Sequence, residues 1–300
     1  MFQLMLFSMM GCGGNVEPAV LREQRCLQNE MDACYEIGYE ALHRARPDIG
    51  TARREFAKGC QMEHHPTSCN ELAKMVRDAR GGPRDHKRAA ELFSIACEKG
   101  DIQPACVNLG LAQFDGRGIK VDQEAAVGHF EVACNHADDP QPEGCAALGV
   151  AYAEGAGVEE ADEEKAEKLL RRSCKDEYPA ACVLVGEMYK EKKANKKEKE
   201  ENLAVSLDFY DRACKIEGRF GCFEFADLHE SGDAPEASDK KAADYYQKTC
   251  AIDPTRGCYE AAALMESGRV VAREGEIESL YNLACEHGHT AACAKRSLEQ

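Results

Sequence analysis

The residues of this chain that could do chemistry are its seventeen cysteines, and sixteen of them fall into pairs of nearly constant spacing. The two cysteines of a pair are 8 residues apart five times, 9 apart twice and 11 apart once. Thiols at such spacing can form disulfides, bind a metal ion or stay free, and each outcome requires different surroundings. The eight pairs are Cys26/Cys34, Cys60/Cys69, Cys97/Cys106, Cys134/Cys145, Cys174/Cys182, Cys214/Cys222, Cys250/Cys258 and Cys285/Cys293.

The elements that position these cysteines follow from the period of the pattern. Successive pairs begin 34 to 40 residues apart, a period typical of helical repeats with one hairpin in each unit. A large apolar residue such as Phe56, Phe93 or Tyr246 lies four positions before the first cysteine, and a small residue lies four positions earlier again. This spacing places the three side chains on one helical face. An apolar and a small residue follow the second cysteine, which predicts a second helix after the turn.

The predicted hairpin favours a disulfide within each pair. One cysteine ends a helix and the other begins the antiparallel helix that follows, so their Cα atoms can approach within the roughly 4.4–6.8 Å that a disulfide requires. Free buried thiols in a cytosolic protein are the alternative, but cytosolic chains rarely keep so many cysteines at fixed spacing. Zinc is less favoured still, because no Cys-x-x-Cys occurs and no histidine lies at ligand spacing beside each pair. We expect neither a metal site nor a cofactor.

The loops between hairpins carry a second pattern. Gly116-Arg-Gly118-Ile119 is followed by Asp122, and Gly155-Ala-Gly157-Val158 is followed by Asp162. Glycine can adopt the left-handed backbone that ends a helix, and aspartate is a favoured N-cap of the next helix. These Gly-x-Gly motifs are not phosphate-binding loops, because no strand precedes them.

These loops, together with Leu-Gly pairs such as Leu148-Gly149 and the aromatic helix, resemble the Sel-one-like repeat (SLR) family. The repeats of this chain, which contain a Cys-x7-Cys motif, resemble those of the Helicobacter cysteine-rich proteins. The resemblance covers about residues 16 to 300. The predicted fold class is all-α: an α/α solenoid of repeated antiparallel helix hairpins, each stapled by a disulfide. The resemblance implies a right-handed superhelix of the TPR/SLR type. About eight hairpins are expected over residues 21–300.

The seventeenth cysteine, Cys12, ends an apolar N-terminal stretch. A stretch that ends in Gly11-Cys12 resembles a bacterial lipoprotein signal with its lipobox. That resemblance implies a signal segment at 1–11, a short tether at 12–20 and a lipid on Cys12, while Gly13 after the cysteine favours the outer membrane. The alternative is a frayed apolar N-terminus with a free thiol. We expect an exported lipoprotein of the bacterial cell envelope.

The charge of the chain bears on its partners. The formal net charge of -16 argues against nucleic acid, which an acidic surface repels. The basic run at 190–199 is interleaved with glutamates, so a solvated helix end is favoured over a docking patch.

Catalytic motifs are scarce. No His-Glu-x-x-His, nucleophile elbow or Walker loop occurs. Some Helicobacter cysteine-rich proteins are described as binding penicillin-type compounds and hydrolysing them slowly, and a Ser-x-x-Lys sequence does occur at Ser238-Asp-Lys-Lys241. Neither Ser-Asp-Asn nor Lys-Thr-Gly accompanies it, so we favour a helix cap over a nucleophile.

The sequence therefore predicts a scaffold that binds a peptide or protein on a concave face formed by the first helix of successive repeats. No catalytic residue is assigned. The alternative is a β-lactam-binding protein with weak β-lactamase activity. Candidate partner-binding residues are Asn70, Asn108, Gln113, Tyr152, Tyr189 and His229.

Overall fold

A computed structural model describes residues 19–28, 30–63, 65–192 and 194–297. Within these ranges the chain forms sixteen α-helices and no strand. The predictions for the signal segment, for Cys12 and for most of the tether lie outside the described residues. The helices are α1 (Ala19–Leu27), α2 (Met31–His43), α3 (Ile49–Glu63), α4 (Pro66–Arg77), α5 (His86–Gly100), α6 (Gln103–Asp115), α7 (Gln123–Asn135), α8 (Pro142–Glu154), α9 (Glu163–Lys175), α10 (Pro179–Glu191), α11 (Lys196–Ile216), α12 (Cys222–Ser231), α13 (Asp239–Cys250), α14 (Pro254–Glu266), α15 (Glu276–Glu286) and α16 (Thr290–Ser297).

The chain divides into two compact units. Unit one comprises the residues up to 112 together with 116–121, and unit two comprises 113–115 and 122–300. Unit one thus holds α1 to α5 and most of α6, and unit two holds α7 to α16. Helices that follow one another in the chain pack against each other from α1 to α5 in unit one and from α7 to α16 in unit two.

The core of unit one is built from the residues that the repeat pattern marks. Phe56 and Phe93, four positions before a cysteine, are fully buried together with Leu92 and Met75. Gly38 on α2 lies directly against the Phe56 ring, and a Cβ atom at Gly38 would come within 2.7 Å of that ring. The small residue after the second cysteine therefore allows the close approach of two helices.

The core of unit two repeats this arrangement. Its largest buried side chains include Phe130, Leu170, Tyr210 and Tyr246 from the equivalent position of successive repeats. A Cβ atom at Gly186 would lie 2.5 Å from the Tyr210 ring. The same pairing of one large and one small residue thus holds neighbouring helices together in both units.

The loop pattern has the predicted structure at its two strongest copies. Gly116 and Gly155 end α6 and α8 with left-handed backbone, at φ 71° and 68°. Asp122 caps α7 by accepting a hydrogen bond from the Ala125 N–H at 3.0 Å. Asp162 caps α9 in the same way, at 2.8 Å from the Lys165 nitrogen.

Each cysteine pair is joined by a disulfide. The eight Cα–Cα separations lie between 4.5 and 4.8 Å, and every bridge connects one helix to the next along the chain. The predicted fold class, an all-α solenoid of disulfide-stapled helix hairpins, is confirmed. In the described part of the chain, no helix combines the length and the apolar character needed to cross a membrane.

Candidate functional site

The paired cysteines lie mostly in the protein interior. Six of them have no solvent-exposed surface at all: Cys34, Cys69, Cys134, Cys174, Cys182 and Cys258. Their sulfurs are bonded within the bridges of their own hairpins. A residue with no exposed surface cannot touch a partner. The six therefore have the structural role that the sequence predicts for them, as partners in disulfides within their hairpins.

The surroundings of these bridges show the same structural role. The sulfurs of Cys34, Cys69 and Cys258 lie 3.6, 3.9 and 3.7 Å from the backbone oxygen of the cysteine to which each is bonded. Each of the three lies near the start of the second helix of its hairpin and is fully buried, so the bridge lies between the two helices that it joins. A surface that binds a partner must therefore be formed by other, exposed side chains.

Two of the six candidate binding residues lie in the interior of unit one. Asn70 is buried, its amide donates a hydrogen bond to Glu71 Oε1 at 3.0 Å, and its own oxygen has no partner. Asn108 is also buried, accepts a hydrogen bond from Arg77 and donates one to the carbonyl oxygen of Pro104 at 2.7 Å. Both side chains therefore belong to helix packing rather than to an open surface.

His229 lies in the interior of unit two. Its side chain packs on the Phe225 ring with 4.7 Å between ring centroids, and Nδ1 is buried without a hydrogen-bond partner. Burial lowers the pKa of this imidazole, and the positive charge of Lys241 lowers it further. The ring is therefore neutral at neutral pH.

Gln113 is half-buried, on the last turn of α6. Its backbone oxygen accepts a hydrogen bond from the N–H of Asp122 at 3.0 Å, whereas its side-chain oxygen is buried without a partner. Its backbone thus takes part in the loop that leads into α7.

Tyr152 and Tyr189 are the two candidates that line open grooves. Each is the seventh residue after the second cysteine of its pair, so they occupy the same position in successive repeats. The Tyr152 hydroxyl accepts a hydrogen bond from Lys165, whose Nζ lies 3.8 Å from the ring centroid. The Tyr189 hydroxyl donates to Glu167 Oε1 at 2.7 Å and accepts from Arg171 Nη2 at 3.0 Å. Both rings are thus fixed by polar contacts at their tips.

The two tyrosines lie in two depressions of unit two. The Tyr152 groove has a volume of about 710 Å³ and is formed by α7, α8, the following loop and the start of α9. The Tyr189 groove has a volume of about 780 Å³ and is formed by α8, α9 and α10. Besides the tyrosine, the Tyr189 groove is lined by Ala153, Glu163, Glu164, Glu167, Met188, Glu191 and Lys192.

Negative charge is concentrated around these grooves. Residues 1–121 contain sixteen acidic and sixteen basic residues, whereas residues 122–192 contain seventeen acidic and only seven basic ones. Within the described ranges, the carboxylates of Glu163, Glu164 and Glu191 have no ion-pair partner. Burial raises the pKa of Glu187 on α10, and the neighbouring charges of Glu224 and Glu191 raise it further. The surface of α8 to α10 therefore carries acidic charge that the chain itself does not neutralise.

The two tyrosines are among the residues predicted from the sequence, whereas these carboxylates are not. The signal was present as the acidic run that surrounds the second Gly-x-Gly loop, Glu159-Glu160 and Glu163-Glu164. The total charge of -16 does not reveal this concentration, which becomes visible only by comparison with the balanced first 121 residues.

The Ser-x-x-Lys sequence forms a helix cap in the structure. Ser238 is the N-cap of α13, and its hydroxyl accepts a hydrogen bond from the N–H of Lys241 at 3.4 Å, as a capping serine does. Across the residues that the structure covers, no three His, Cys, Asp or Glu side chains converge at metal-binding geometry.

Comparison with known proteins places this geometry in a family context. The sequence model of the Sel1 repeat matches residues 66–101, 103–138, 142–178 and 220–252. Among curated proteins, cytochrome c oxidase assembly factor 7 of Xenopus tropicalis is 26% identical over 221 residues, which are 73% of this chain and 78% of that protein.

Solved structures of low sequence identity share the fold. The Escherichia coli protein c5321, described as a protective antigen of uropathogenic strains with an SLR fold, superposes with a TM-score of 0.64 at 20% identity over 92% of this chain. The chain spans 58% of the length of that structure. A Sel1 repeat protein from Oxalobacter formigenes superposes with a TM-score of 0.59 at 16% identity, covering 84% of this chain and 96% of the other.

The matched segments also show how the disulfides relate to the repeats. The segment 66–101 contains α4 and α5, and the segment 103–138 contains α6 and α7. The bridge Cys97–Cys106 therefore joins the last helix of one matched segment to the first helix of the next. The bridges act at the junctions between repeats.

Proposed function

Since the chain carries Sel1 repeats in four copies, we propose that it is an exported scaffold that binds a peptide or protein partner on the exposed surface of its repeat helices. The observation that carries the proposal is the pair of grooves around Tyr152 and Tyr189. The tyrosines occupy the same position in two successive repeats, and each is held by contacts to charged side chains.

The physical basis is preorganisation. Tyrosine offers a large, amphipathic contact area and loses little conformational entropy on binding. Rings already fixed by Lys165, Glu167 and Arg171 lose even less. Groove volumes of about 710 and 780 Å³ are within the roughly 300–1,000 Å³ range of ligand sites.

Selection from a random dodecapeptide library displayed on phage, with the oxidised full-length chain as the target, tests this function. We expect enriched peptides whose binding is lost in the double variant Tyr152→Ala/Tyr189→Ala. The matched control is Tyr39→Ala, which removes an exposed tyrosine of unit one and should leave binding unchanged. Failure to enrich any peptide, or equal binding by all three proteins, contradicts the proposal.

Export is the second part of the proposed function. Eight disulfides are typical of proteins folded in oxidising compartments outside the cytosol. We propose attachment to the outer membrane through a lipid on Cys12, since the several acyl chains of a lipoprotein cysteine meet the need for more than one chain in stable anchoring.

The anchor is tested with Cys12→Ser. The parent protein should fractionate with membranes and carry lipid by mass spectrometry. The variant should keep eight disulfides but appear in the soluble or unprocessed pool. If the variant follows the parent into the membrane fraction and no lipid is found on the parent, the anchor is refuted.

β-Lactam binding with slow hydrolysis is the second candidate and has less support. It depends on the family resemblance and on Ser238, whose hydroxyl is engaged as a helix cap. A chromogenic cephalosporin assay on the purified chain separates the two functions. We expect no turnover, whereas turnover that Ser238→Ala abolishes would favour the hydrolase.

A further inference from the structure

The Tyr189 groove combines an apolar floor with unneutralised acid at its edges. Met188 and Ala153 line it beside the tyrosine ring. Glu163 and Glu164 approach from the first turn of α9, and Glu191 from the last turn of α10. All three glutamates are exposed, so a partner can reach them without a rearrangement of the repeat.

Within the chain, positively charged side chains already lie over both tyrosine rings. Lys192 lies at the edge of the Tyr189 groove, with its Nζ 5.2 Å from the Tyr189 ring centroid. In the neighbouring Tyr152 groove, the Nζ of Lys165 lies 3.8 Å from the Tyr152 centroid. A cation over a tyrosine face is stabilised by the ring quadrupole, and adjacent carboxylates add to that attraction.

We propose that the Tyr189 groove docks a basic segment of a partner protein, with a Lys or Arg side chain in contact with Glu163, Glu164 and Glu191 and an apolar side chain on Met188. The inference rests on the proposed function, because it names the partner chemistry for one of the two grooves. Charge complementarity selects this occupant: residues 122–192 carry ten more acidic than basic residues, whereas residues 1–121 are balanced.

Repulsion among the carboxylates supports the same occupant. Glu187 lies outside the groove lining, but its pKa is raised by burial and by the charges of Glu224 on α12 and Glu191 at the groove, although Lys190 opposes the rise, so the negative charge of Glu191 acts on its neighbours. A bound cationic segment relieves this repulsion, whereas an acidic segment increases it.

Two labelled dodecapeptides test the inference by fluorescence anisotropy at about 0.15 M salt, where exposed charges beyond about 8 Å are largely screened. The basic probe is Lys-Leu-Arg-Ala repeated three times, and the acidic probe has Glu at each Lys and Arg. The groove variant is Glu163→Gln/Glu164→Gln/Glu191→Gln. The control, Glu274→Gln/Glu278→Gln/Glu286→Gln, removes the same charge from three exposed glutamates near α15.

We expect the oxidised parent to bind the basic probe at least about tenfold more tightly than the acidic one, a difference of about 1.4 kcal/mol. The groove variant should lose about tenfold in affinity and the control less than about twofold, because screening limits distant charges. Lys192→Gln should strengthen binding of the basic probe about twofold, since that lysine lies over the Tyr189 ring and its positive charge repels a cationic segment.

The inference is overturned if the basic probe fails to bind or binds no better than the acidic one. It is also overturned if both triple variants weaken binding equally, because attraction would then be diffuse. Enrichment of phage peptides that lack Lys and Arg refutes the inference while the proposed scaffold function stands. No enrichment at all refutes the scaffold function itself.

Discussion

Removal of the bridge between Cys174 and Cys182 should weaken the coupling between repeats in the middle of unit two. The bridge joins α9 to α10, both cysteines are fully buried, and the sequence separation is 8. For a loop of that length the chain-entropy relation gives about 2.5 kcal/mol at 25 °C. The void left by two buried sulfurs adds about 1 kcal/mol. Because repeats contribute mainly through nearest-neighbour interfaces, the loss falls on the α9–α10 junction.

The double variant Cys174→Ala/Cys182→Ala should therefore melt roughly 5–15 °C below the oxidised parent, from about 2–4 °C per kcal/mol for a domain of this size. Urea denaturation followed by far-UV circular dichroism should also lose cooperativity. The matched control, Cys285→Ala/Cys293→Ala, has the same sequence separation and joins α15 to α16. This control should destabilise α15 and α16, while the main urea unfolding transition should stay single. Unchanged melting of the first variant, or identical curves for the two, would refute the coupling argument.

Three further results follow from burial and packing. Titration with a reductant should break the Cys285–Cys293 bridge before the buried bridges, because both residues are half-exposed and thiol exchange depends on access. Mass spectrometry after thiol alkylation gives the order in which the bridges are reduced. The free energy of unfolding should decrease as the pH falls below about 6.5, because the lowered pKa of His229 lets the unfolded chain bind the proton first. In His229→Leu, the free energy of unfolding measured with urea should change less between pH 7 and pH 5. Gly186→Ala should cost about 1–3 kcal/mol by overpacking, whereas Gly128→Ala, with open space at the Cβ position, should stabilise α7 by about 1 kcal/mol.

Contrary outcomes would have specific meanings. If a fully buried bridge such as Cys134–Cys145 is reduced before Cys285–Cys293, exposure does not control the order. An unchanged pH slope in His229→Leu would show that other groups account for the acid sensitivity. Equal effects of the two Gly→Ala variants would mean that the Tyr210 ring can move aside.

The helix hairpins could be predicted from the repeat pattern because helix periodicity and disulfide geometry both depend on residues that are close together in the chain. Gly116, Asp122, Gly155 and Asp162 could be assigned to helix ends for the same reason, since capping involves only neighbouring residues. The division into two units at residues 113–122 had no such local signal.

The candidate site was harder to predict because the second helix of several hairpins is apolar on most sides. In α6, Val107, Leu109 and Ala112 are buried together with Asn108, so periodicity could not separate a polar residue facing a neighbour from one facing solvent. Asn70 and His229 were predicted to face a partner, and the structure buries both. Gln113, Tyr152, Tyr189 and His229 all lie seven residues after the second cysteine of a pair, yet only the two tyrosines line the grooves described in unit two, so repeat position alone does not separate them.

Amide hydrogen exchange of the oxidised chain, with and without the saturating basic dodecapeptide, tests the binding site most directly. Exchange reports local opening of each helix, and a bound segment slows it where contacts form. We predict slower exchange in α9 and α10, with exchange in α14 and α15 unchanged. Protection confined to helices outside α8 to α10, or no protection at saturation, would contradict it.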